Sequence, residues 1–169
     1  MEIYDDISSL LGLMRKRKQD RLRYMQYPAT PNEVDVLFRL IKHIYGIELS
    51  PVYKSILLKT NGFRENGVVL YGTETRLLEG YKEDMFVEGF PEANENWKHN
   101  IDFANHIVYA ESDTYLFAQS SQTKLFSCHT QGDFEESLLW ETPNDRFFFE
   151  TMLKLSVDDK FYIQDVFNS

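Results

Sequence analysis

Cysteine is nearly absent from this chain of 169 residues: Cys128 stands alone. A single thiol excludes an intramolecular disulfide framework and a multi-cysteine zinc site. Long hydrophobic runs are missing as well, since no stretch approaches the roughly 18 apolar residues of a membrane span. Glycine and proline are sparse, at 8 and 5, which excludes collagen-like or linker character. Positive charge is in deficit: 18 Lys and Arg face 27 Asp and Glu, for a formal charge of −9. A chain of that sign repels phosphate backbones, which disfavours nucleic acid, and favours a basic partner. The opening Met-Glu-Ile-Tyr-Asp-Asp has neither a basic segment nor an apolar cleavable core. The expectation is a soluble, cytoplasmic protein of a reducing compartment, with no membrane contact and no direct nucleic-acid contact.

Aromatic residues are plentiful, with 13 Phe and 10 Tyr. That content argues against intrinsic disorder. The length suggests one domain with a core that needs no staple.

Residues 2–26 read as a first helix. Ile3, Ile7, Leu10, Leu11 and Met14 recur at helical spacing, and Pro28 ends the pattern. Thr30-Pro31-Asn32-Glu33 is a capping box that opens a second helix. Val34, Leu37, Phe38, Ile41 and Ile44 form its stripe, and Gly46 suits the left-handed stop. A third helix starts at Ser50-Pro51 and stops by Asn61-Gly62. The period then changes. Val68–Tyr71, His106–Ala110, Tyr115–Ala118 and Lys124–Cys128 read as strands, and residues 73–100 as a long connection with one short helix. Thr142-Pro143-Asn144-Asp145 opens another helix through Leu155, and a last short helix is expected over residues 158–167. The predicted fold is a single α+β domain with N-terminal helices, a central mostly antiparallel sheet and C-terminal helices. Residues 1–29 are assigned to the N-terminal helix and 30–169 to the main domain.

Catalytic signatures are lacking. Cys128-His129 is the most tempting pair, as a nucleophile and base of a small hydrolase. Neighbours on a strand point to opposite faces, which works against a dyad. No two of His43, His99, His106 and His129 have metal-binding spacing. No calcium loop, phosphate loop, nucleophile elbow or dinucleotide fingerprint is present. No catalytic residue, metal or cofactor is therefore assigned.

Charge is segregated. Six bases and one acid occupy residues 15–23. They lie in the second half of a helix, where the dipole favours them without a partner, so a solvated face is the expected role and an anionic contact the alternative. Residues 24–169 hold 12 bases and 23 acids, a net of −11. Within residues 83–113, Glu83, Asp84, Glu88, Glu92, Glu95, Asp102, Glu111 and Asp113 face Lys98 alone. That surface serves solubility or steers toward a basic partner. Trp97 sits in the same stretch, as an interface anchor or as a loop residue docked on the core; Trp140 reads as core.

The segment Leu49-Ser50-Pro51-Val52-Tyr53-Lys54-Ser55-Ile56-Leu57 through Asn61-Gly62-Phe63 resembles the signature helix of the SUKH superfamily. Gly67–Gly72 is similar to that family's first strand. His106 to Phe117 is similar to its strand, turn and strand, with Ala110 where the family usually has Gly. The added N-terminal helix resembles the YrhA-like branch. The resemblance implies an α+β fold without enzymatic activity. It implies an immunity protein that binds and neutralises a cognate toxin of a polymorphic or contact-dependent system. Many such toxins are basic nucleases, and an acidic blocker complements them. A regulatory or scaffold module of the same superfamily is the alternative. The partner-binding residues expected are Glu83, Asp84, Glu88, Glu92, Glu95, Trp97, Asp102, Glu111 and Asp113.

Overall fold

Helix boundaries follow from side chains that satisfy the first orphan amides. The computed structural model describes residues 7–78, 81, 85–100, 103–131 and 138–166. In α2 (Pro31–Tyr45), Thr30 Oγ1 accepts from the Glu33 amide at 3.1 Å, and Glu33 Oε2 accepts from the Thr30 amide at 2.8 Å. Gly46 closes the helix at φ 67°, a conformation that costs a residue with a Cβ. In α3 (Pro51–Leu57), Ser50 Oγ accepts from Val52 and Tyr53 and donates to Asp145 Oδ2 at 2.6 Å. That bond ties the start of α3 to the start of α5 (Asp145–Val157), where Asn144 is the cap.

The first helix is shorter than its periodicity suggests. Within the described residues, α1 covers Ile7–Asp20. Leu22 then turns left-handed at φ 56°. The Leu22 amide donates to Gln19 and the Arg23 amide to Lys18, a Schellman closure with leucine in the glycine position. Leu10, Leu11 and Met14 are buried, and α1 packs on α5. On α2 the stripe is narrower than expected. Val34, Leu37 and Ile41 are buried, Phe38 is half-buried and Ile44 is 53% exposed.

Six strands form one sheet in the order β1-β2-β5-β6-β7-β8, every neighbouring pair antiparallel. They are β1 (Phe63–Glu65), β2 (Val68–Leu70), β5 (His106–Glu111), β6 (Tyr115–Ser120), β7 (Phe126–Thr130) and β8 (Leu138–Thr142). β1 and β8 are additions to the strands expected from the sequence. Trp140 lies on β8, buried as its apolar neighbours suggested. The connection after β2 contains a two-stranded ladder, β3 (Arg76–Leu77) with β4 (Phe86–Val87), and then α4 (Phe90–Trp97). The described residues close with a 3-10 turn, Ile163–Val166, where a helix over 158–167 was expected. Helices precede and follow the sheet, so the fold is α+β.

α5 lies against β2, β7 and β8, and α3 packs on α5. Between them is an aromatic centre. Tyr53 and Tyr109 meet edge to face at 5.1 Å, and Tyr53 stacks on Phe149 at 5.9 Å. Tyr109 also meets Phe148 and Phe90. The buried hydroxyls are satisfied: Tyr53 donates to the Tyr71 carbonyl at 2.5 Å and Tyr109 to Gln119 Oε1 at 2.8 Å. Such pairing is what makes buried tyrosines tolerable.

β2 is shorter than β5, which leaves Val108 without a strand neighbour on that side. Asn94 of α4 takes the strand's place. Its Oδ1 accepts from the Val108 amide at 2.7 Å and its Nδ2 donates to the Val108 carbonyl at 2.8 Å. This side chain satisfies buried backbone groups and fixes α4 beside β5.

Candidate partner-binding surface

Backbone hydrogen bonds tie the turn after β2 to the end of β4 and the start of α4. The Gly72 amide donates to the Glu88 carbonyl at 3.0 Å, and the Phe90 amide to the Gly72 carbonyl at 2.8 Å. Asn61 holds the same turn: its Nδ2 donates to Thr73 Oγ1, and its Oδ1 accepts from the Thr73 amide at 2.7 Å. Gly62, at φ 77°, completes it. A Cβ there would lie 2.7 Å from the Leu70 carbonyl and 2.8 Å from the Gly72 amide. The Asn-Gly pair read as a helix stop thus also positions Glu88.

Glu111 ends β5, opposite Val69 of β2. It is half-buried, and burial pushes its carboxyl above the usual range. Repulsion from Glu88 and from Asp113 acts in the same direction, while Tyr71 and Arg64 favour the charged form. Trp97 Nε1 donates to the Tyr71 hydroxyl at 2.9 Å. Tyr71 is fully buried, and that burial raises its phenol strongly.

Three of the expected acids, Glu88, Glu111 and Asp113, therefore share one electrostatic neighbourhood. Glu92 and Glu95 project from α4 and are exposed. Glu92 lies in the first turn, where the helix dipole favours an acid. Glu95 pairs with Lys98 at 2.8 Å and lies 4.0 Å from His99 Nε2. Trp97 is half-buried against Phe103, ring centroids 4.9 Å apart. The docked arrangement open in the sequence is the one it adopts, with its indole N–H used internally. Glu83, Asp84 and Asp102 lie outside the described residues.

Cys128 is fully buried, and burial raises its thiol strongly. A reactive thiolate needs the opposite environment. His129 pairs through Nε2 with Ser127 Oγ at 2.8 Å. His106, half-buried, meets His129 edge to face at 6.1 Å; burial lowers its imidazole and Glu141 opposes that shift. His43 and His99 are exposed. Among the described residues no group of three His, Cys, Asp or Glu side chains is placed to hold a metal ion, and no helix is long and apolar enough to cross a membrane.

Only part of the basic run departs from the solvated face expected of it, since Arg15, Lys16 and Arg21 are exposed. Lys18 is 1% exposed and pairs with Glu65 Oε2 at 3.2 Å. Glu65 also accepts from Arg21 at 3.0 Å and lies 3.6 Å from Arg17. Arg17 reaches Asp159 at 3.0 Å. These bases fasten α1 to β1 and to the chain after α5. Spacing carried the signal: Lys18 follows Met14 by four residues and Leu11 by seven, on the buried face. No family model matches the chain, and no curated protein matches it significantly.

Proposed function

We propose that this chain is a non-enzymatic immunity protein of SUKH type, in the YrhA-like branch, acting in the cytoplasm. It binds a cognate toxin and blocks it by occupying the toxin's basic surface. Glu88, Glu92, Glu95, Trp97, Glu111 and Asp113 supply the contact. Glu83, Asp84 and Asp102 belong to the same acidic stretch.

One observation carries the reading. The fold holds Glu111 half-buried beside Glu88 and Asp113, where repulsion and desolvation both disfavour its charge. Carboxylates crowded at the fold's own expense are relieved by a cation from a partner. The net charge of −9 adds long-range steering toward such a partner. The ordered motifs of the SUKH resemblance supply the class of partner.

The test is co-expression with the candidate toxin encoded beside the gene, with and without this protein, scored by survival. Rescue accompanied by a stable complex supports immunity. Absence of both rescue and affinity overturns it.

A further inference from the structure

A cavity of about 430 Å³ opens between the end of α1, residues 23–28 and the turn after α3. Its size lies within the usual range of small-molecule sites. Arg15, Arg23 and Lys59 line it, and no carboxylate does among the described residues. In a chain with a formal charge of −9, this is a local reversal of sign. Tyr24 and Tyr27 add aromatic walls and are 63% and 74% exposed.

Gln26 distinguishes this cavity from a basic groove. Its side chain forms part of the wall and is only 6% exposed. Its Nε2 is buried and has no hydrogen-bond partner among the described residues. A buried amide left unpaired is costly, and its final torsion is soft enough to turn the N–H toward the cavity. Rigid neighbours frame the wall. The Ala29 amide donates to the Leu57 carbonyl at 2.9 Å and the Asn61 amide to the Tyr27 carbonyl at 3.0 Å. The Arg23 guanidinium lies 4.3 Å from the centre of the Tyr81 ring, and Lys59 donates to Ser8 Oγ. Leu22 holds its left-handed conformation at the entrance to this segment.

We propose that this cavity binds a small organic anion, a phosphate or carboxylate carried on a flat apolar body. Arg15, Arg23 and Lys59 meet the anionic oxygens, Gln26 donates to one of them, and Tyr24 and Tyr27 flank the flat body. The site is separate from the acidic surface and does not depend on toxin binding.

Phenyl phosphate is the probe, titrated calorimetrically into the full chain. Benzoate, inorganic phosphate and phenol serve as separate arms for carboxylate, anion alone and ring alone. The expected result is saturable 1:1 binding of phenyl phosphate or benzoate at roughly 1 mM or tighter, with phosphate and phenol weaker. Arg15→Ala and Lys59→Ala should each weaken binding roughly tenfold. Gln26→Leu should weaken it comparably while leaving the melting temperature of the unliganded protein unchanged or higher, since it removes an unpaired buried amide. A merely structural Gln26 would give a lower melting temperature and unaltered affinity. Absence of saturable binding by either aromatic anion up to about 10 mM, or equal affinity in all three variants, overturns the proposal.

Discussion

Lys18 and Glu65 form a buried ion pair at 3.2 Å that joins α1 to the sheet edge. The Lys18 Nζ also donates to the Arg64 carbonyl at 2.8 Å. Removing one member of such a pair leaves an uncompensated buried charge, at about 3–5 kcal/mol. Glu65→Gln should therefore destabilise strongly, because it removes the negative charge shared by Lys18, Arg17 and Arg21. Lys18→Met should cost less, because Arg21 still neutralises Glu65 and the methionine fills the buried volume. Urea denaturation of both variants checks the order.

The Glu111 carboxyl gives a pH signature. Its folded pKa stands above the ordinary value of 4.5, so the native state holds the proton more tightly than the unfolded chain. Its contribution to stability is fully present below the unfolded pKa and is lost as pH rises through the folded one. Glu111→Gln keeps the shape without the charge. The variant should be more stable than the wild type at pH 7, and the difference should shrink as pH falls to about 4. Thermal melts across that window measure it.

Leu22 occupies a position that favours glycine. A left-handed residue with a Cβ costs about 1–2 kcal/mol. Leu22 is 85% exposed, so little packing is lost on replacement. Leu22→Gly should stabilise the protein by about 0.5–1 kcal/mol, the gain being reduced by the added freedom of the unfolded chain. Leu22→Ala should not. Paired denaturation curves distinguish the two.

Gly62 is the opposite case. It combines φ 77° with backbone atoms 2.7–2.8 Å from an added Cβ. Gly62→Ala should cost about 2 kcal/mol or more, and it should disturb the turn that carries Glu88. Amide exchange at Gly72 and Phe90 reports that local effect beyond the global stability loss.

Local chemistry made much of this architecture legible. The caps at Thr30 and Ser50 and the stop at Gly46 depend on residues a few positions apart, and the side chains involved can do little else, whereas α5 is capped by Asn144 and not by the Thr142 of the Thr-Pro-x-acid pattern. The end of α1 was hidden because a leucine takes the glycine role and no glycine or proline stands between Met14 and Pro28. β1 and β8 escaped notice for different reasons. β1 has only three residues, and β8 is paired through β7 alone, with a register shift between Cys128 and His129. The acidic stretch was legible as composition. Which acids meet was not, because Glu88 and Glu111 come together through the Gly72–Glu88 backbone bond and the β2–β5 register. The cavity lined by Gln26 left no trace in spacing, since it needs the end of α1, an extended segment and the turn after α3 together.

The most direct test of the proposed function is the affinity of this protein for a candidate toxin encoded beside its gene, measured with the wild type and with the charge reversal Glu92→Lys/Asp113→Lys. Both positions are exposed, so the variant should fold. The account predicts a tight wild-type complex whose association rate falls with added salt and falls again by roughly tenfold or more in the variant. A complex of equal affinity and equal association rate in the variant would contradict the acidic surface as the contact, and no complex at all would contradict immunity itself.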